Sequence, residues 1–232
     1  TIKGWLTHNF SLMVASRSWG KSTIGSHFAY LYCLLNPNRH IIVCAATFRS
    51  SRQIVERIAE WAQSDDGALL METIRPTPKG EAMTKRQDLV RIWFKNGSSI
   101  TALPLGDPDN LRGFRCNVLL LDEGLLIAQH TVNTVLKPFL AGGADATKKQ
   151  RIRRDEARKI ESGLMLAKDK MRFKSDSKMI VLSSASYIWQ ELYKDLYKPY
   201  RAIIEASGEG TPKAEETETG VSSYLVHQFS YK

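Results

Sequence analysis

The sequence runs to 232 residues, 43% of them hydrophobic, enough to bury the core of one large domain or of a domain with an insertion. Thirty-three Lys and Arg against 24 Asp and Glu leave a formal charge of +9, which suits an anionic partner such as nucleic acid. There is no apolar run of membrane-spanning length and no signal peptide, and Cys33, Cys44 and Cys116 are odd in number and set among apolar residues. A soluble protein with reduced core thiols is expected, with neither a disulfide framework nor a zinc site.

Phe10 to Val14 is a short apolar run and Thr23 to Leu35 a helix-like one; between them stands Ala15-Ser16-Arg17-Ser18-Trp19-Gly20-Lys21-Ser22. Four free positions followed by Gly-Lys-Ser is the pattern of a P-loop. Backbone N–H groups curl around a β-phosphate, the Lys21 ammonium reaches the β and γ oxygens, and the Ser22 hydroxyl ligates Mg²⁺, all at a helix N-terminus. Ala15 stands where the pattern usually has its first Gly. Ahead of the strand, Trp5, His8 and Asn9 are candidates to pack on or hydrogen-bond a nucleotide base, although a loop histidine would look the same.

Ile41 to Ala46 reads as a strand buried on both faces, followed by a helix with Thr47 or Ser50 as its cap and Ile54, Ile58 and Trp61 as its core stripe. Thr47 and Arg49 then lie at a strand's carboxyl end, where open α/β sheets bind ligands. Residues 64–88 are rich in turn formers and predict a surface excursion, whereas Leu89–Phe94 and Ser99–Leu103 flank Asn96-Gly97 and predict a hairpin. After the loop at 106–113, Val118 to Leu121 is an apolar strand ending in Asp122-Glu123. The chemistry of NTP hydrolysis asks for both acids: one to hold hydrated Mg²⁺ and a second to orient and deprotonate the attacking water.

Gln129 to Leu140 predicts a helix ended by Gly142-Gly143. Lys148 to Lys178 carries twelve Lys and Arg against five acids, so most of the net charge lies here. Ala157, Ile160, Leu164, Ala167 and Met171 recur at helical spacing, predicting an amphipathic helix with Gly163 inside it and a basic face turned to nucleic acid or simply to water. Lys178 to Ser184 predicts another buried strand, whose terminal hydroxyls can sense a γ-phosphate or the attacking water, and Ile188 to Tyr200 a helix. Residues 205–223 read as a flexible acidic linker and Tyr224 to Tyr231 as one last strand.

The order Ala-Ser-Arg-Ser-Trp-Gly-Lys-Ser, Ala-Ala-Thr-Phe-Arg, Leu-Arg-Gly-Phe-Arg, Val-Leu-Leu-Leu-Asp-Glu and Val-Leu-Ser-Ser-Ala resembles the ATPase domain of the large terminase subunit, the DNA-packaging motor of tailed bacteriophages, over about residues 9–200. The resemblance implies an α/β P-loop NTPase of the RecA-like (ASCE) type, a mostly parallel sheet flanked by helices. Its ATPase domain would occupy residues 1–204, with a basic helical insertion, a lid, at about 141–178; residues 205–232 would be an acidic linker and terminal strand leading toward a nuclease domain. It implies ATP and Mg²⁺ as cofactors, held by Ala15 through Ser22 together with Asp122, Ser183 and Ser184, with Ser22 and Asp122 on the metal. Glu123 would be the catalytic base, Arg17 would contact the γ-phosphate, and Ser183-Ser184-Ala185 would link hydrolysis to movement. Arg112 matches an arginine that some members insert into a neighbouring subunit's site, so a homo-oligomeric ring, expected as a pentamer, is implied. The implied partners are double-stranded DNA, a portal protein and a small terminase subunit, in the host cell cytoplasm.

Two departures stand out. The family's nuclease half has no counterpart in this sequence, so no cleavage activity is expected of it, and the separation of about sixty residues between Glu123 and Ser183 is long because of the basic insertion. The alternatives are a fragment of a two-domain RecA-like helicase or translocase, which would need arginine fingers from a second such domain, and an ATP-dependent DNA-binding assembly module without significant turnover. Glu123 argues against the last, since binding alone needs no positioned base.

Overall fold

The computed structural model describes residues 1–106, 111, 113–142, 146–164, 166, 177–184, 215–217, 220–222 and 224–229. The expected helix at 188–200 lies outside them, as do Arg112 and Ala185.

A short helix, α1 (Ile2–Thr7), leads into β1 (Phe10–Ala15), every residue of which is buried. After the loop at 16–20 come α2 (Lys21–Leu35), β2 (His40–Ala45) and α3 (Phe48–Gln63). Thr47 Oγ1 accepts the Ser50 N–H at 3.3 Å and caps α3, a contact worth about 1 kcal/mol. The excursion at 64–88 holds a helix that its composition hid, α4 (Ala68–Thr73), and a two-residue strand, β3 (Thr84–Lys85). Then follow β4 (Val90–Trp93), β5 (Ser99–Ala102) and β6 (Val118–Asp122). The expected hairpin is present: β4 and β5 are antiparallel, Gly97 takes φ +85°, and Asn96 Oδ1 accepts the Ser98 N–H at 3.0 Å.

Past β6 the expected helix at 129–140 forms as a graded coil. A single α turn, α5 (Gln129–Thr131), loosens to π over Val132–Leu136 and tightens to 3₁₀ over Lys137–Gly142. Helix α6 (Ala146–Glu161) is the basic helix, but it stops ten residues short of the predicted stripe's end at Met171. Gly163 lies beyond it at φ +73°, and the Leu164 N–H bonds back to the Lys159 carbonyl at 2.8 Å. The glycine is therefore a left-handed helix stop and not an interior defect. Ala157 is exposed and Leu164 is 81% exposed, so the predicted apolar stripe does not form as one buried face. Strand β7 (Lys178–Ser184) matches its expected bounds; β8 (Glu215–Thr217) and β9 (Gly220–Ser222) pair with each other, and β10 (Tyr224–Phe229) follows.

The main sheet has the order β10-β1-β7-β6-β2-β5-β4-β3. Its first six strands run parallel; β4 turns back against β5 at the far edge, and β3 pairs antiparallel with β4 and so runs with the six again. Parallel strands covered on both faces require near-continuous apolar runs, which is what β1, β2, β6 and β7 supply. Alternate residues of those strands point to opposite cores. Met13, Ile41, Val43, Leu120 and Leu182 meet α1, α2 and α3, while Leu12, Leu119, Leu121 and Val181 meet Val132, Leu136 and Phe139 of the graded coil. The last strand departs from expectation. Tyr224–Phe229 pairs with β1 from Phe10↔Tyr224 to Ala15↔Phe229, so it is part of this sheet, and the boundary expected after residue 204 does not separate it from the body of the fold. Among the described residues no helix is long and apolar enough to cross a membrane.

Candidate functional site

The carboxyl ends of β1, β7 and β6 lie side by side, and the loop at 16–20 rises from the first of them. The loop turns sharply because Ser18 (φ +63°) and Gly20 (φ +87°) both sit in the left-handed region, which Gly20 enters at no steric cost. Helix α2 begins at Lys21 with no side-chain cap and no acid in its first turn. Its positive N-terminal end is therefore not neutralised from within the helix, the condition for receiving an anion.

Lys21 is only 7% exposed, and its Nζ donates to the carbonyls of Ala15 (3.2 Å) and Ser16 (2.8 Å). Burial pulls its pKa below the usual lysine range, against the raising influence of Asp122 and Glu123 and with a smaller downward push from Arg17. Ser22 Oγ donates to Asp122 Oδ2 at 2.8 Å, closing a contact between residues 100 apart in sequence. Asp122 Oδ1 accepts the Glu123 N–H at 3.1 Å. Asp122 is 4% exposed, and burial holds its pKa above the usual carboxylate value; the Ser22 and Glu123 N–H hydrogen bonds and Lys21 act against the rise, while the Glu123 charge adds to it.

Glu123 takes φ +50°, ψ +38°, a left-handed conformation that costs a non-glycine residue about 1–2 kcal/mol. It breaks the strand immediately after Asp122, so the two acids do not simply alternate across the sheet. Strained backbone of this kind concentrates where function demands it.

Between the two tips stands β7. Its register sets Ser183 beside Val14 and Ser184 beside Ala15, so the two hydroxyl residues flank the start of the loop; Ser183 is 3% exposed. Arg17 and Ser18 are exposed on the loop, and Trp19 is half-buried against the core. Ser16 Oγ is buried and has no hydrogen-bond partner among the described residues, an orphaned polar atom inside the loop.

Of the residues ahead of β1, Trp5 is fully buried edge-on to Phe28 (centroids 5.5 Å apart), and Asn9 Nδ2 donates to the Ser177 carbonyl at 3.0 Å. Trp5 therefore offers no face to a base; its work is to fix α1 against α2. Thr47 serves as a helix cap, and Arg49 is exposed. One residue escaped the sequence reading. Arg57 of α3 donates through Nη1 to Thr23 Oγ1, one position past the Gly-Lys-Ser motif. No motif spacing signals a contact between separate helices.

A phosphate loop between strand and helix, an Asp-Glu strand tip two strands away, and a hydroxyl-tipped strand between them define a P-loop NTPase fold. A family model described as "Terminase large subunit, T4likevirus-type, N-terminal" matches residues 12–150, more than half of the sequence. The chain belongs to this large-terminase family. The ATPase domain of the Thermus phage P74-26 large terminase superposes with a TM-score of 0.55 at 14% identity, over 96% of this chain and 76% of that one. The large terminase of a second, thermophilic bacteriophage gives 0.53 at 10% identity over 96% and 40%, and its complex with ADP gives 0.52 at 10% identity over 98% and 41%. At such identities the likeness is one of fold, and this chain spans about 40% of the thermophilic phage protein. No curated protein matches the sequence.

Proposed function

We propose that this chain is the ATP-hydrolysing motor domain of a viral large terminase, which drives double-stranded DNA into a procapsid. The observation that carries the reading is the 2.8 Å hydrogen bond from Ser22 to Asp122 with Glu123 next in the chain. It joins the phosphate loop to an acid pair, and a protein that only bound nucleotide would have no use for the second acid. Family membership and the fold shared with the ADP-bound terminase of the thermophilic phage support the same conclusion.

The donor set fits both ATP and Mg²⁺. A hydroxyl and a carboxylate are the hard oxygen ligands Mg²⁺ takes, and an ammonium, an uncapped helix start and the orphaned Ser16 hydroxyl suit phosphate. Ser22 and Asp122 would hold the metal, which when bound neutralises charge on the β- and γ-phosphate oxygens. Lys21 exchanges the Ala15 and Ser16 carbonyls for phosphate oxygens. Glu123 orients the attacking water and accepts its proton. Arg17, on the exposed arm of the loop, contacts the γ-phosphate; Ser183 and Ser184, beside the loop's origin, report on it to the rest of the sheet together with Ala185. Arg112 reaches the site of a neighbouring subunit, which makes the working form a ring, a pentamer when assembled on the portal protein with the small terminase subunit, in the host cytoplasm. The motor domain includes β10, and α6 belongs to the lid.

The test is Glu123→Gln. Hydrolysis falls by about 10²- to 10⁴-fold while ATP affinity, measured by calorimetry, stays within about twofold. Unchanged hydrolysis would sink the catalytic assignment.

A further inference from the structure

The other end of the sheet carries a cavity that the hydrolytic chemistry does not use. Register sets His40, Ser99 and Trp93 in one row across β2, β5 and β4, and Ile42, Thr101 and Arg91 in the next row on the same face. Further along this face, over β1, β7 and β6, the graded coil covers the sheet with Val132, Leu136 and Phe139. Over β5 and β4 the same face is cationic and aromatic, and Phe114 and Arg115, just before β6, form a wall beside it. Together these residues line a cavity of about 190 Å³. His40 and Ser99 open β2 and β5, so the cavity lies at the amino ends of the parallel strands, opposite the tips that carry Asp122 and the phosphate loop.

Its chemistry is one-sided. Arg91 Nε donates to Thr101 Oγ1 at 2.7 Å, and its guanidinium lies 5.3 Å from the centre of the Trp93 ring. His40 Nδ1 is 2.9 Å from Ser99 Oγ, and its ring stands edge-on to Trp93. Among the described residues no Asp or Glu lines the cavity, and neither Arg91 nor Arg115 has a carboxylate partner. Burial and the nearby Arg86 both lower the pKa of the half-buried Arg91; burial and Arg91 lower that of His40. A half-buried cation without a counter-charge is costly, and an anion in the cavity would relieve that cost. The free end of a guanidinium matches two phosphate oxygens, and Trp93, 38% exposed, gives it a platform.

We propose that this cavity binds a phosphodiester of the nucleic-acid backbone, as a second phosphate site separate from that of the nucleotide. The choice of a phosphodiester over a free phosphate rests on the reading of this chain as a DNA-translocating ATPase; the anion preference rests on the cavity alone.

The experiment is fluorescence anisotropy of a labelled DNA duplex, titrated between about 50 and 200 mM salt. It compares wild type, Arg91→Gln, Arg115→Gln and, as a charge-matched control, Lys3→Gln, with basal ATP hydrolysis measured on each preparation. Each arginine removed lowers the slope of log affinity against log salt by about 0.9 and weakens binding several-fold, whereas Lys3→Gln leaves the slope and all three variants leave hydrolysis unchanged. Arg115 is exposed, so Arg115→Gln still decides the matter should Arg91→Gln fail to fold. Unchanged slopes in both arginine variants overturn the proposal. So does a wild type that ignores the duplex yet is thermally stabilised by inorganic phosphate through Arg91, which would assign the cavity to free phosphate. A wild type that hydrolyses no ATP refutes the motor reading, and the slopes still judge the cavity.

Discussion

Replacing Ser22 by Ala tests the link on which the site is built. The hydroxyl donates to a carboxylate that is 4% exposed, with the partners 2.8 Å apart. A hydrogen bond to an ionised group contributes about 1.5–3 kcal/mol, and its loss strips a buried charge of one of the two hydrogen-bond donors it has among the described residues. Ala is a better helix former than Ser in the first turn of α2, which returns about 0.5 kcal/mol or less. The net loss is about 1–2.5 kcal/mol, which for a domain of this size lowers Tm by about 2–4 °C per kcal/mol. Calorimetric or fluorescence melts without nucleotide or metal would show a fall of about 2–10 °C for Ser22→Ala, and a fall at least halved for Ser22→Thr, which keeps the hydroxyl. ATP hydrolysis should disappear in the first variant and persist in the second. An alanine variant as stable as wild type, or a threonine variant equally damaged, would refute the claim that the Ser22–Asp122 bond holds the site together.

Three further outcomes follow from particular residues. His40 has its folded-state pKa lowered by burial and by Arg91, so the folded protein resists taking up the proton that the unfolded chain accepts. Its contribution to stability is fully present above about pH 6.5 and is lost as pH falls toward the lowered value; urea melts at stepped pH should show that decline, and NMR should find the His40 resonance moving to a higher pKa in Arg91→Gln. Gly97→Ala should cost about 2 kcal/mol or more by urea denaturation, because the turn holds φ +85° and the added Cβ would run into Asn38 Oδ1; a neutral result would mean that the turn can change type. If Arg112 acts between subunits, hydrolysis per subunit should rise with protein concentration, fall about 10³-fold or more in Arg112→Ala, and partly recover when Arg112→Ala and Glu123→Ala proteins are mixed. A rate independent of concentration and of Arg112 would point to a self-contained ATPase.

What the sequence made legible was whatever rests on neighbouring residues. The apolar runs at 41–46 and 178–184, the Asn-Gly turn and the Gly-Lys-Ser loop each carry their own local signal, and the strands, the hairpin and the loop that opens α2 stand where those signals put them. What stayed hidden depends on pairing at a distance. The Ser183 and Ser184 positions beside the loop follow from a register with β1 across nearly the whole sequence. The Arg57–Thr23 contact depends on how α3 packs on α2. Trp5 looked like a ligand-facing aromatic because composition cannot tell a ring that faces a cleft from one turned into the core against Phe28. Helix α6 was read too long because spacing counted past Gly163, where the backbone turns left-handed and stops. The graded coil at 129–142 is invisible to any periodicity, since α, π and 3₁₀ turns each shift the phase of the next.

The parallel pairing of β10 with β1 has a mechanical consequence. A pull applied at the carboxyl end of β10 runs along the strand, so the ladder from Phe10↔Tyr224 to Ala15↔Phe229 bears it in shear, with all of its hydrogen bonds loaded together and none peeled in turn. The strand that shares this load is the one whose last residue, Ala15, leads into the Gly-Lys-Ser loop. Tension on that end of the chain thus acts on β1, within a few residues of the loop at 16–20.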